Sequence, residues 1–144
     1  MNWTQTDDHA LRVLVDVAAH PDAPIREIGD RTAIPSALVA KVVQALARAS
    51  LVETTRGRGG GVRLARDPAA ISLLDVVEAI QGPLCFLRCP RRGKGCPQDT
   101  DCAVYRLSLE LQESLAARLQ RVRIADLAHS CSTRVQPPEP PPQR

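Results

Sequence analysis

The chain has 144 residues, the size of a single domain, and 44% of them are apolar but only 2% aromatic: Trp3, Phe86 and Tyr105. The core must therefore be built from Val, Leu, Ile and Ala, which suits packed helices and argues against a single-strand RNA binder that stacks bases on aromatic rings. The net charge is only +3, yet residues 26–66 hold eight basic side chains (Arg26, Arg31, Lys41, Arg48, Arg56, Arg58, Arg63, Arg66) against Glu27, Asp30 and Glu53, a local +5 that suits a polyanion.

The first helix is expected to begin around residues 6–8, where Asp7 and Asp8 favour the positive end of the helix dipole. Ala10, Leu14 and Val17 form one apolar stripe, with Leu11, Val15 and Ala18 beside it. Pro21 and Pro24 stop this helix. A short helix follows over Ile25–Thr32, then a tight turn at 33–35. Ser36 is placed to cap a third helix running to about residue 49, with Leu38, Val39, Val42, Val43, Leu46 and Ala47 apolar. Two helices separated by so short a turn have the spacing of a helix-turn-helix.

Residues 51–55 and 62–65 read as two strands around the turn Arg56-Gly57-Arg58-Gly59-Gly60-Gly61. Ser72-x-x-Asp75 is a capping-box pattern for a helix over Leu73–Gln81, ended by Gly82-Pro83. Residues 84–102 are Cys, Pro, Gly and charge, without periodicity. Helical spacing returns over residues 103–124, where Val104, Leu107, Leu111, Leu115, Leu119 and Val122 recur every three or four positions. A helix of that length spans ~33 Å, more than a small head needs, and its most economical partner is the same helix of a second subunit. The proline-rich end reads as a disordered tail.

The expected fold is mainly α with a small β-hairpin wing. It divides into a winged helix-turn-helix DNA-binding domain over 1–82, a cysteine-rich cluster-binding loop over 83–102, a dimerisation helix over 103–128 and a tail over 129–144. The third helix would enter the major groove of double-stranded DNA, presenting Ser36, Ala37, Lys41 and Gln44. Lys41 suits a phosphate and Gln44 a base edge. Arg56 and Arg58 stand at the hairpin tip, where the glycines would let it approach a DNA backbone and an Arg can enter a narrow minor groove. The same turn lacks the Lys-Ser/Thr of a phosphate-binding P-loop.

Five cysteines stand at positions 85, 89, 96, 102 and 131. The chain start lacks the basic and apolar regions of a signal peptide, and no apolar run reaches the ~18 residues of a membrane helix, so a cytoplasmic location away from membranes is expected. Clustered thiols in a reducing compartment hold a metal or do redox chemistry more often than they form disulfides. Thiolates suit iron–sulfur clusters and zinc, and the wide spacing of Cys89, Cys96 and Cys102 favours loops around a cluster over tight zinc knuckles. Arg88, Arg91, Arg92 and Lys94 would offset an anionic cluster. A thiol-only redox switch, zinc and inert cysteines are the alternatives. No Ser/His/Asp arrangement or H-E-x-x-H motif is present, and Glu110 and Glu113 have no His following them, so no enzyme is expected.

Asp8-His9-Ala10-Leu11-Arg12, the wing at 56–61 and the cysteine trio together resemble the iron–sulfur winged-helix transcription regulators (NsrR/IscR/RirA-like), and the nitric-oxide-sensing branch most closely, over about residues 1–128. The resemblance implies a homodimer with crossing long helices, and a cluster held by Cys89, Cys96 and Cys102, [4Fe–4S] in preference to [2Fe–2S]. In the cluster-assembly branch a His lies three positions after the last Cys, where this chain has Tyr105. In the nitric-oxide-sensing branch an Asp opening the first helix completes the site from the other subunit, and Asp8 matches it. His9 and Cys85 are the remaining candidates. The expected function is operator binding, most simply repression, controlled by nitric oxide or redox stress. An iron or cluster-status sensor, and a metal-carrying interaction or electron-transfer protein without DNA binding, are the rivals.

Overall fold

The structure, a computed structural model, describes residues 3–57, 60–86, 89, 94, 96, 98 and 101–131, with side chains to residue 129. Arg58 and most of the tail therefore lie outside the described residues.

Helix α1 (Gln5–Ala19) starts earlier than expected because Thr4 caps it: the Thr4 side chain accepts from the Asp7 N–H, and the Asp7 side chain accepts from the Thr4 N–H. Asp7 is thereby drawn inside, a burial that its favourable place at the helix dipole does not by itself require. Helix α2 (Ile25–Thr32) ends on Ala33, a left-handed residue at φ 56°, and α3 (Ser36–Arg48) begins three residues later. The N-cap of α3 is Pro35 with no side-chain bond, so Ser36 is the first helical residue and not the cap. Pro35 has no N–H to satisfy and its carbonyl accepts from Leu38 and Val39. Gly29 packs so tightly on this turn that a Cβ there would meet the Ile34 carbonyl oxygen at 2.8 Å.

Strands β1 (Val52–Thr54) and β2 (Val62–Leu64) pair antiparallel, Val52 opposite Leu64 and Thr54 opposite Val62. The segment before α2 joins them as a third element: the Val62 N–H donates to the Ala23 carbonyl at 2.9 Å. Helix α4 (Leu73–Gln81) carries the expected capping box, with both Ser72–Asp75 bonds made. Ala10, Val13, Leu14, Val17, Ile28, Val39, Val43, Leu46, Val62, Ile71 and Val76 form one aliphatic core between the helices and the hairpin.

The long C-terminal helix is two. Helix α5 (Ala103–Arg121) stops at Val122, whose backbone is extended, and α6 (Ile124–Cys131) turns back onto α1. The single helix expected over 103–128 is therefore corrected, as is a tail beginning at 129. Two forces break it. Backbone pairing holds the junction to the chain before α4, through Leu73 N–H to the Val122 carbonyl (2.9 Å) and Ile124 N–H to the Ile71 carbonyl (3.0 Å). The break also buries Ile124 completely and packs Leu127 on the core, a gain of about 1.5–3 kcal/mol for the Ile alone. A continuous helix would carry both side chains away from it. Among the described residues no helix is long and apolar enough to cross a membrane.

Candidate DNA-binding face and cysteine segment

Helix α3 buries Val39, Val42, Val43 and Leu46. The opposite face presents Ala37, Lys41 and Gln44 at helical spacing, all exposed, with Ser36 exposed at its start. Arg48 continues the same row at the fourth position after Gln44 and is also exposed. It was not singled out as a site residue from sequence, although the i, i+4, i+7, i+11 run from Ala37 would have found it.

The basic stretch divides once partners are known. Arg31 donates to both Asp16 oxygens at 2.7 and 2.8 Å, and this bond raises its pKa above the ordinary arginine value. Arg63 donates to Glu53 at 2.8 and 3.1 Å and is raised likewise. Both guanidiniums have carboxylate partners within the head, although the Arg63–Glu53 pair is exposed. Among the described residues, no ion pair joins Lys41, Arg48 or Arg56. Among the described residues Arg26 and Arg66 are exposed and join no ion pair either, so the cations free to meet a polyanion sit on the outer face of α3, at the hairpin tip and at these two positions.

The tip glycines divide too. A Cβ on Gly60 would lie 2.1 Å from the Thr55 carbonyl oxygen, and one on Gly61 would lie 2.1 Å from that of Asp22. These two close the hairpin on its own backbone, so close approach to DNA is not what requires them. Among the described tip glycines Gly57, at φ 102° with nothing within 4 Å of an added Cβ, is the one in open space.

The cysteine segment is fastened at both ends. Leu84 N–H donates to Glu78 of α4 at 3.0 Å, and Phe86 N–H donates to Gln112 of α5 at 3.1 Å. Cys85 stands between these anchors. At the far end Cys102 is the N-cap residue of α5, and its carbonyl accepts from Arg106 at 3.0 Å. Cys89, Cys96 and Cys102 are free thiols of intermediate burial, and Cys85, of similar burial, is in no disulfide. This soft, undisulfided donor set has the chemistry that an iron–sulfur cluster requires. Among the described residues no three His, Cys, Asp or Glu side chains stand close enough to hold a metal, so one chain does not gather Cys89, Cys96, Cys102 and Asp8 into a closed ligand set.

Asp8 is half-buried on the first turn of α1, and its carboxylate accepts from Arg12 at 2.8 Å in an exposed pair. His9 is beside it, also half-buried. Helix α5 leaves an apolar row uncovered: Val104, Leu107 and Leu111 are 65, 55 and 44% exposed.

The sequence pattern of the Rrf2 family, described as iron-dependent transcriptional regulators, matches residues 3–130. Protein aau3 of Rhizobium meliloti (strain 1021) is 33% identical over 130 residues, 88% of this chain and 84% of its own. The HTH-type transcriptional regulator IscR of Escherichia coli (strain K12 / DH10B) is 26% identical over 133 residues, 90% of this chain and 82% of its own. Among solved structures, CymR, the global cysteine regulator of B. subtilis, superposes with a TM-score of 0.73 at 20% identity, over 90% of this chain and 98% of its own. The IscR of T. potens superposes with a TM-score of 0.71 at 20% identity, over 95% and 94%. The two structures share the winged-helix fold with this chain.

Proposed function

The chain belongs to the Rrf2 family of transcriptional regulators, and on that premise we propose that it is a homodimeric repressor whose operator affinity is set by an iron–sulfur cluster. It is a DNA-binding regulator and not an enzyme, as its relatives are regulators. The cluster would be held by Cys89, Cys96 and Cys102, with Asp8 contributed across the dimer. The observation that carries the reading is a set of free thiols on a segment fastened to α4 and α5, on a head whose unpaired cations face outward. A bound cluster, [4Fe–4S] in preference to [2Fe–2S], supplies a redox-active centre open to nitric oxide and oxidants. The description of the family as iron-dependent favours iron status as the second reading of the signal.

The residues of the chain supply the rest. Val104, Leu107 and Leu111 give a second copy an apolar row to cover. The Asp8–Arg12 pair is exposed and so worth little, which leaves Asp8 cheap to release toward a metal. A carboxylate is also a harder partner for this iron than a thiolate, so it is the weakest link of the set. Anaerobic isolation with a visible spectrum and iron and sulfide counts, repeated after nitric oxide, tests the assignment. Asp8→Ala is expected to retain most iron, change the spectrum and weaken operator binding by the iron-loaded protein. A wild-type spectrum together with wild-type operator affinity would remove Asp8 and leave His9 or Cys85 in its place.

The DNA face is tested separately. Lys41, Arg48 and Arg56 are assigned to phosphates, as is Arg58 on the sequence pattern, and Gln44 to a base edge; Ser36 and Ala37 line the approach. Arg56→Ala is expected to lower affinity for operator and unrelated DNA alike and to reduce the salt slope by about one. Gln44→Ala is expected to cost about 1–3 kcal/mol on the operator alone. Competition binding at several salt concentrations measures both, and an unchanged slope in Arg56→Ala would take the wing out of the interface.

A further inference from the structure

Among the described residues Asp7 is the one charged residue that is fully buried, 1% exposed. Its Oδ2 accepts three hydrogen bonds: from Thr4 N–H at 2.7 Å, from Thr4 Oγ1 at 2.6 Å and from Gln81 Nε2 at 2.6 Å. Its Oδ1 is buried with no hydrogen-bond partner. Capping explains only the two Thr4 bonds. The capping box of α4 makes the corresponding pair between Ser72 and Asp75, at 2.8 and 2.7 Å, with a carboxylate that is only partly buried. Burying a carboxylate with one oxygen unmatched is costly, and a partly exposed Asp at the same position would cap α1 without that cost. The third bond, across 74 positions of sequence, therefore needs a separate reason.

Gln81 is the last residue of α4. Gly82 follows at φ 80°, then Pro83 and the cysteine segment. At the other end of the bond, α1 packs directly on α3, the helix with the exposed cationic face. We infer that the Asp7–Gln81 bond is a latch that transmits the state of the cysteine segment to the α1–α3 pair, and that Asp7 is a positioning residue. A change in the segment that moved the end of α4 would be carried by this bond to Asp7 and its neighbour Asp8. The inference rests on the proposed function in taking the cysteine segment as the sensor.

The test uses Gln81→Leu, which removes the donor and leaves the Thr4–Asp7 capping box in place. Asp7→Asn is the conservative variant, since two side-chain amides can still bond. Amide hydrogen exchange at residues 5–9 is measured with the cysteine segment in different states: as isolated with iron, after chelation, and after alkylation by iodoacetamide, which needs no cluster. Operator affinity and iron content are measured in parallel. In the wild type, exchange at residues 5–9 is expected to change severalfold between states, and operator affinity by on the order of tenfold. In Gln81→Leu both differences are expected to fall to within about twofold, with iron content unchanged. Asp7→Asn retains them. A merely structural bond would lower the melting temperature of Gln81→Leu and leave both responses as in the wild type, which would overturn the latch. A wild type whose residues 5–9 ignore alkylation would overturn it as well. Failure of the cluster reading is seen separately, as wild-type protein without iron, and the alkylation arm then decides the latch alone.

Discussion

Replacing any one of Cys89, Cys96 and Cys102 by alanine is expected to abolish iron and visible absorption while leaving the chain folded. A three-thiolate set cannot lose one soft ligand and keep a closed cluster, because the replacement donors on offer are water and carboxylates, which bind this iron more weakly. The fold is expected to survive because none of these cysteines belongs to the aliphatic core, which is made of residues from α1 through α4, the hairpin and Ile124. The melting temperature of each apo variant is therefore expected to stay within a few degrees of wild-type apo protein. Operator affinity is expected to settle at the cluster-free value in all three. Cys85→Ala is the matched control: it lies between the two anchored N–H groups of Leu84 and Phe86 and is expected to keep its iron. Iron and sulfide counts after anaerobic isolation decide the matter. Full iron in any one of the three would strike that cysteine from the ligand set, and full iron in all three would end the cluster assignment.

Gly61→Ala is expected to be the most damaging single-methyl change in the wing. The added Cβ would sit 2.1 Å from the Asp22 carbonyl oxygen and 2.3 Å from its carbon. Both are backbone atoms, so no side chain can swing aside. Relief requires the hairpin and the 22–23 segment to separate, which breaks the Val62-to-Ala23 hydrogen bond and draws Val62 out of a site where it is 1% exposed. Overpacking and one lost backbone bond together cost roughly 2–4 kcal/mol, a fall in melting temperature on the order of 10 °C. Gly57→Ala is the comparison. Its residue is at φ 102° with nothing within 4 Å, so the cost is backbone strain alone, about 1–2 kcal/mol. Thermal unfolding of the two variants side by side reads the difference. Equal losses would mean that the hairpin is not held by the 22–23 segment.

The two experiments mark different kinds of legibility. The thiols, the helix-turn-helix and the wing are written locally. The 3.6-residue recurrence of Val39, Val42, Val43 and Leu46 specifies which side of α3 is buried, and therefore that Lys41 and Gln44 face outward, whatever α3 packs against. The Ser72–Asp75 box specifies where α4 begins, because both partners lie within one turn. The glycine-rich turn between two short strand-like runs specifies a hairpin. Donor chemistry at 89, 96 and 102 is likewise a property of the residues themselves.

What the tertiary structure decided are the matters whose partners are distant in sequence. The sequence pattern from Val104 to Ile124 reads as one helix, and the backbone pairing with residues 71–73 and the burial of Ile124 end it at Arg121. The charge count of the basic stretch does not reveal that Arg31 is spent on Asp16 and Arg63 on Glu53, while Lys41, Arg48 and Arg56 keep their charge for a partner. Gly60 and Gly61 look like freedom for the tip and are in fact clearance for the chain's own carbonyls. Asp7 and Asp8 are indistinguishable as neighbouring acids, yet Gln81 reaches the first and water and Arg12 the second. Periodicity and capping depend on contacts within a turn or two and so are printed in order along the chain; burial of a charge, closure of a backbone and the end of a helix depend on what the remaining chain brings alongside, and that exists only once it has folded.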